Sequence, residues 1–264
     1  MRPGRPFASI AVLAIAGALA LAGPLACGGD ANSQELPSDP QELAAGIEAA
    51  DMSWRAALPD WLAAGRPAPV PDRMSTPAAY LQQAASALSR DRGLAAQTLA
   101  DLPPRLREQT RDTTRAIRDL HRLGVGGPSD ELRTGPPTSL DILLPAYKEG
   151  ERRFNVGTDV LAAVNHVESA FGQARNDSGA GAKGPMQFIP STWKIYGLGG
   201  DIEDPHDAIL GAANYLHPSG APGSYRDALY SYNQSRLYVD AVLNYARLIR
   251  RDSEALYLLY SWKP

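Results

Sequence analysis

A single cysteine, Cys27, stands in the 264 residues, so no disulfide can close within the chain. Sustained strand alternation is lacking as well, which points to a mainly α protein, with a short hairpin after Phe171 as the one exception left open. There is no basic excess: 26 Lys and Arg stand against 29 Asp and Glu, and a chain of net charge −3 lacks the footprint of a nucleic-acid binder. The four histidines, His121, His166, His206 and His217, share no ligand spacing with carboxylates or thiols, so neither a metal nor a cofactor is expected. The acidic group Asp201, Glu203, Asp204 and Asp207 lacks the spacing of an EF-hand loop, and helix capping accounts for Asp204 and Asp207. Gly179 to Gly184 is glycine-rich and holds Lys183. A phosphate cradle, however, needs Gly-Lys followed by Ser or Thr, and Gly184-Pro185 follows instead.

What is present begins with Arg2 and Arg5 ahead of an uncharged apolar run from Phe7 to Cys27, which reads as an export signal over residues 1–27. The run is long enough to span a bilayer, so an uncleaved anchor is the alternative; Gly17, Gly23 and Pro24 break its second half. Cys27 resembles the lipid-modified cysteine of bacterial lipoproteins, although Pro24 and Leu25 depart from the usual signal. That resemblance implies a membrane attachment through an N-terminal lipid and an extracytoplasmic, cell-envelope location. Residues 28–40 are polar and fit a tether.

From residue 41 to 123 the chain is rich in Ala and Leu at helical spacing, clearest over Gln41 to Ala57, Thr76 to Ser89 and Leu106 to Leu123, and predicts a small helical bundle. Trp54 and Trp61 sit at core spacing. The charged series Arg105, Arg107, Glu108, Arg111, Asp112, Arg115, Arg118 and Asp119 predicts the solvated face of an ion-paired helix. Residues 124–139 are dense in Gly and Pro and mark a linker. Residues 140–264 then read as short helices: Asp141 to Phe154, Thr158 to Phe171, Ser191 to Tyr196, Pro205 to Leu216, Tyr225 to Asn233 and Ser235 to Arg251. Thr158, Asp204 and Ser235 are placed as N-caps and Pro205 at the first helical position.

Glu168 follows Leu161 and Val164 by seven and four residues, so its carboxylate shares an apolar stripe. Desolvation raises a carboxyl pKa and readies it as a general acid; a helix-end glutamate that reaches water or pairs with Arg175 is the alternative. Small residues at Gly179, Ala180, Gly181, Ala182 and Gly184 let a bulky ligand approach backbone, and Met186, Gln187 and Phe188 offer an amide beside an apolar strip, as an acetamido sugar requires.

The ordered motifs Glu168-Ser169, Ser178-x-x-Gly181-Ala182-x-Gly184-Pro185-Met186-Gln187 and Tyr232-Asn233 resemble the catalytic domain of bacterial lytic transglycosylases over about residues 140 to 250. The resemblance implies a lysozyme-like, mostly helical domain acting on peptidoglycan glycan strands. It implies Glu168 as the single acid and base that opens the β-1,4 bond between N-acetylmuramic acid and N-acetylglucosamine without water. By the same resemblance Ser169, Ser178, Met186, Gln187 and Phe188 fall at the substrate groove, and Tyr232 and Asn233 steady Glu168 and the sugar amide. Tyr230 divides between that group and the core. The helical region 41–123 matches no known pattern and is a candidate for contacts with other wall enzymes. Two alternatives stay open: hydrolysis with Asp177 as a second carboxylate, and a lipoprotein that binds peptidoglycan without cutting it.

Overall fold

The structure, a computed structural model, describes residues 36–124 and 133–264. The leader 1–27 with Cys27, residues 28–35 of the tether and residues 125–132 of the linker lie outside the described residues. Among the described residues no helix is long and apolar enough to cross a membrane.

Asp39 starts the chain's first helix by accepting hydrogen bonds from the Gln41 and Glu42 amides, and Pro40 takes the first helical position, where it needs no donor. This helix, α1 (Pro40–Ala63), buries Trp54 and Trp61, so both indoles are core residues as their spacing predicts. Helix α2 (Asp72–Arg90) packs along it, and α3 (Arg92–Asp101) follows, capped by Asp91. The periodicity does not announce α3. It buries only Ala95 and Thr98 and carries Gly93 in its first turn, so its pattern is faint.

Helix α4 (Pro104–Arg122) corrects the reading of the charged series as a solvated face at Asp112, the one member that is buried; the other seven are exposed or half-buried, with Arg111 paired to Glu108. Gln109, Thr110, Asp112, Thr113 and Thr114 are all buried, because α4 lies against α10 (Arg236–Arg251). Asp112 there receives Arg247 at 2.9 Å and Arg251 at 3.2 Å. A second set of charges ties the same halves together: buried Asp51 of α1 pairs with Arg55 and Arg105, and Arg55 reaches Asp252 and Glu254 beyond α10. Sequence spacing shows that a helix is two-faced; it does not show that cations 135 residues later will cover the polar face.

The second half is built from α5 (Leu140–Phe154), α6 (Thr158–Ser169), α7 (Pro190–Tyr196), α8 (Pro205–Leu216), α9 (Tyr225–Tyr232), α10 and α11 (Ala255–Tyr260). Asp204 and Ser235 cap α8 and α10 as expected, through the Asp207 and Tyr238 amides. Thr158 does not cap α6: Gly157 does, its carbonyl accepting the Val160 and Leu161 amides. Helix α11, ALYLLY, is apolar on every side, and a run that short cannot be told from a strand by period. The hairpin allowed after Phe171 reduces to two isolated bridges, Thr134 with Ala174 and Lys183 with Phe188.

Helix α6 is the centre of this half, with Val160, Leu161, Ala162, Ala163 and Val164 all fully buried and α10 packed on it. One contiguous apolar core runs from Leu43 to Trp262, and Trp61 of α1 meets Tyr257 of α11 edge-on at 6.0 Å. The N-terminal helices therefore share their interior with the half that carries Glu168.

Candidate active site

Helix α6 delivers Glu168 one residue before it ends, and the backbone then turns sharply. Ala170 and Phe171 both take positive φ, 48° and 61°, so the helix stops at Ser169 instead of running to Phe171. A left-handed alanine or phenylalanine costs about 1–2 kcal/mol, which the surrounding bonds must offset.

Those bonds start from α6. The Ser169 hydroxyl donates to the Pro185 carbonyl at 2.7 Å and accepts the Gly172 amide at 2.9 Å. Asn165, one turn earlier, donates to the same Pro185 carbonyl at 2.9 Å and accepts the Tyr147 hydroxyl at 2.7 Å. Two α6 side chains thus grip the loop that follows. Ser169 was expected at the substrate groove; it is fully buried and its hydroxyl is committed to this grip. Ser178 likewise shapes the loop, its Oγ accepting the Ala182 amide at 2.9 Å while its backbone pairs with Ala182.

Gly184 holds the loop against the segment before α8. Its φ is 70°, and a Cβ there would lie 2.0 Å from the Ile202 carbonyl oxygen, so no side chain fits. Met186 and Phe188 point into the core, where Phe188 meets Trp193 at 5.2 Å and Tyr232 at 5.8 Å, both edge-on. Gln187, at φ 49°, donates from Nε2 to the Gly184 carbonyl at 2.9 Å. This fixes the amide, and its buried Oε1 has no protein partner. Beside it opens a cleft of about 270 Å³ lined by Asn176, Asp177, Gly184, Pro185 and Glu203.

Glu168 itself is fully buried. Its Oε1 accepts the Tyr238 hydroxyl at 2.6 Å, and its Oε2 meets no donor or acceptor of the protein. Burial raises the carboxyl pKa to about 8, with the Tyr238 hydrogen bond pulling the other way. The group is therefore a protonated acid at neutral pH, with one oxygen anchored and the other buried without a protein partner.

The anchoring hydroxyl belongs to Tyr238, where the motif points to Tyr232. Tyr232 is fully buried too, but its hydroxyl donates to the Met186 carbonyl at 2.7 Å, so it positions the loop rather than the acid. Asn233 ends α9 beside it, largely buried. Tyr238 is on the buried side of α10, three residues past the Ser235 cap, with Val239, Val242 and Tyr245. Helical spacing marks it as inward-facing; only the packing of α10 on α6 shows which group it meets. Asn165 was missed for the same reason, although its place four residues before Ser169 puts both on one face.

Asp177 is half exposed and pairs with Lys183 at 3.6 Å. His166 is half-buried, its ring packed against Phe171, Tyr245 and Trp262, and desolvation lowers its pKa to about 3, so it is a neutral packing residue. Among the described residues the grouping that could hold a cation is Asp204, His206 and Asp207. Asp204 caps the Asp207 amide there, and His206 bonds Glu149 at 3.0 Å.

Residues 145–248 match the family model described as Transglycosylase SLT domain. No solved structure matches the chain.

Proposed function

We propose, from the match of residues 145–248 to the Transglycosylase SLT domain, that the chain is a lytic transglycosylase of the lysozyme-like superfamily and that Glu168 alone carries its reaction as acid and then as base. Peptidoglycan is the substrate of the domain. The observation that supports a single-carboxyl mechanism is Glu168's environment: a buried, neutral carboxyl group with Oε1 held by Tyr238 and Oε2 unpartnered.

The step starts with the proton on Glu168. The carboxyl donates it to the glycosidic oxygen as the bond from the N-acetylmuramoyl C1 to that oxygen breaks, releasing the N-acetylglucosamine side as an alcohol. The carboxylate left behind is stabilised by Tyr238, whose hydrogen bond strengthens once its acceptor is charged. It then takes the proton of the muramoyl C6 hydroxyl while O6 bonds C1, closing a 1,6-anhydro ring and restoring the acid. No water enters. Gln187, with its amide fixed and its oxygen unpaired, supplies an acceptor suited to the N–H of an acetamido group.

A hydrolase with two carboxylates would need a second acid positioned to activate water. Asp177, the candidate for it, is exposed and ion-paired with Lys183, which argues against that role. The leader and Cys27 support placement in the cell envelope as a lipoprotein, where peptidoglycan is met.

Mass spectrometry of the products from purified peptidoglycan tests the proposal. Anhydro-ended muropeptides are expected from the parent and none from Glu168→Gln, whose amide fills the same space but cannot move a proton. Reducing ends in their place would establish hydrolysis, and parental rates from Glu168→Gln would remove Glu168 from the mechanism.

A further inference from the structure

The outer sides of α9 and α10 carry residues the reaction at Glu168 does not use. Helix α9 turns Tyr232 fully inward, while Tyr230, two residues before it, is 46% exposed. Tyr230 shares a cleft of about 360 Å³ with Arg226, Asp227, Arg236 and Val239. Arg226 also borders a second cleft, of about 240 Å³, where Arg115, Arg118 and Arg247 stand with Asp119 and Asp240. The two clefts form one band across α4, α9 and α10, in which five arginines outnumber three aspartates although the whole chain is net acidic.

The arginines are not all engaged. Arg226 pairs with Asp240 at 2.8 Å, Arg247 with Asp112, and Arg118 donates to the Ser89 and Leu88 carbonyls at the end of α2. Arg115 and Arg236 make no ion pair among the described residues. Arg118 is held below the usual guanidinium range by burial and by the neighbouring charges of Arg92, Arg115 and Arg122. Like charges crowded at a surface repel until an anion lies between them.

We propose that this band, from Tyr230 across Arg236 and Arg226 to Arg115, is a second binding site for a carboxylate-bearing glycan, with a sugar ring on Tyr230 and carboxylates on the arginines. The exposed phenol ring beside apolar Val239 offers a flat surface to a pyranose. The guanidinium fork matches a carboxylate in two parallel hydrogen bonds. Two clefts that share Arg226 suit a chain lying across the surface. Identifying the glycan as a peptidoglycan strand, whose peptide stems carry the carboxylates, rests on the function proposed above. The band then holds a strand while another stretch is cut at Glu168.

Two measurements test this. Co-sedimentation with peptidoglycan sacculi, in the Glu168→Gln background so that nothing is digested, reads the band. Retention should fall about tenfold on adding Tyr230→Ala and Arg236→Gln, and equally on sacculi whose carboxyl groups are converted to amides. Cleavage of a short soluble tetrasaccharide by the chain carrying only Tyr230→Ala and Arg236→Gln should match the parent. Unchanged retention in both comparisons would overturn the proposal, as would a loss of tetrasaccharide turnover as large as the loss of retention. Retention that survives amidation but is displaced by a phosphodiester polymer would overturn the carboxylate. A parent that releases no anhydro products would sink the reaction proposed for Glu168 and leave the sedimentation result standing for the band.

Discussion

Tyr238 and Glu168 form the pair on which the proposed chemistry turns, joined by one hydrogen bond. The bond steadies the carboxylate and so lowers the Glu168 pKa against burial. Tyr238→Phe removes the only described hydrogen bond to the Glu168 carboxyl group, so the acid should become weaker and its proton donation to the glycosidic oxygen slower. The expected result is a ten- to hundredfold loss of kcat, of the order of one lost charge-assisted hydrogen bond, with the alkaline limb of the pH profile moved upward. A kcat loss with an unmoved limb would mean that Tyr238 acts only through packing. The burial of Glu168 was legible before the fold, because a carboxylate on an apolar stripe is a local signal. Its hydroxyl partner was not, since it comes from a helix 70 residues away whose inward side holds several equivalent candidates. The motif points to Tyr232, whose hydroxyl the packing gives to the Met186 carbonyl instead.

Between residues and molecule, two element contacts decide whether the site exists. The first is the approach of the loop to the segment before α8 at Gly184. Gly184→Ala should cost several kcal/mol, because the new methyl meets a backbone oxygen that no rotamer change can move, and should abolish activity with the loop displaced. Thermal unfolding and product release check both parts. The second contact is the polar seam of α4 on α10. Replacing Arg247 and Arg251 together by alanine leaves Asp112 buried without a cation, which should lower stability by about 3–5 kcal/mol in a denaturant titration. Element ends such as the Asp204 and Ser235 caps could be read from sequence, because a cap is settled within four residues. The end of α6 could not. It is set by Ser169 and Asn165 reaching Pro185, a contact between a helix and a loop that local propensity does not contain.

For the molecule as a whole, two desolvated groups shape stability against pH from opposite sides. Glu168 has a folded pKa of about 8 against 4.5 in the open chain, so the folded form binds the extra proton and loses stability as pH rises through that interval. His166, lowered to about 3 from 6.5, works the other way, and its contribution is lost as pH falls through its own interval. Between pH 4.5 and 6.5 the two slopes cancel, giving a plateau. From there to pH 8 the parent should lose about 2 kcal/mol that Glu168→Gln retains, at about 1.4 kcal/mol per pH unit for one proton. Urea titrations of both proteins across this range check the difference. The common core also predicts that a chain shortened to residues 133–264 will not fold alone, since it bares the surface of α10 that α4 covers; circular dichroism of that fragment checks it. Helix α10 seats Tyr238 on one side and Arg247 and Arg251 on another. A chain in which α10 has not yet docked therefore holds Glu168 as an ordinary wetted carboxylate, ionised and harmless to a glycosidic bond. The neutral carboxyl group thus depends on the docking of α10, so a molecule opened at that helix has no proton to donate from Glu168.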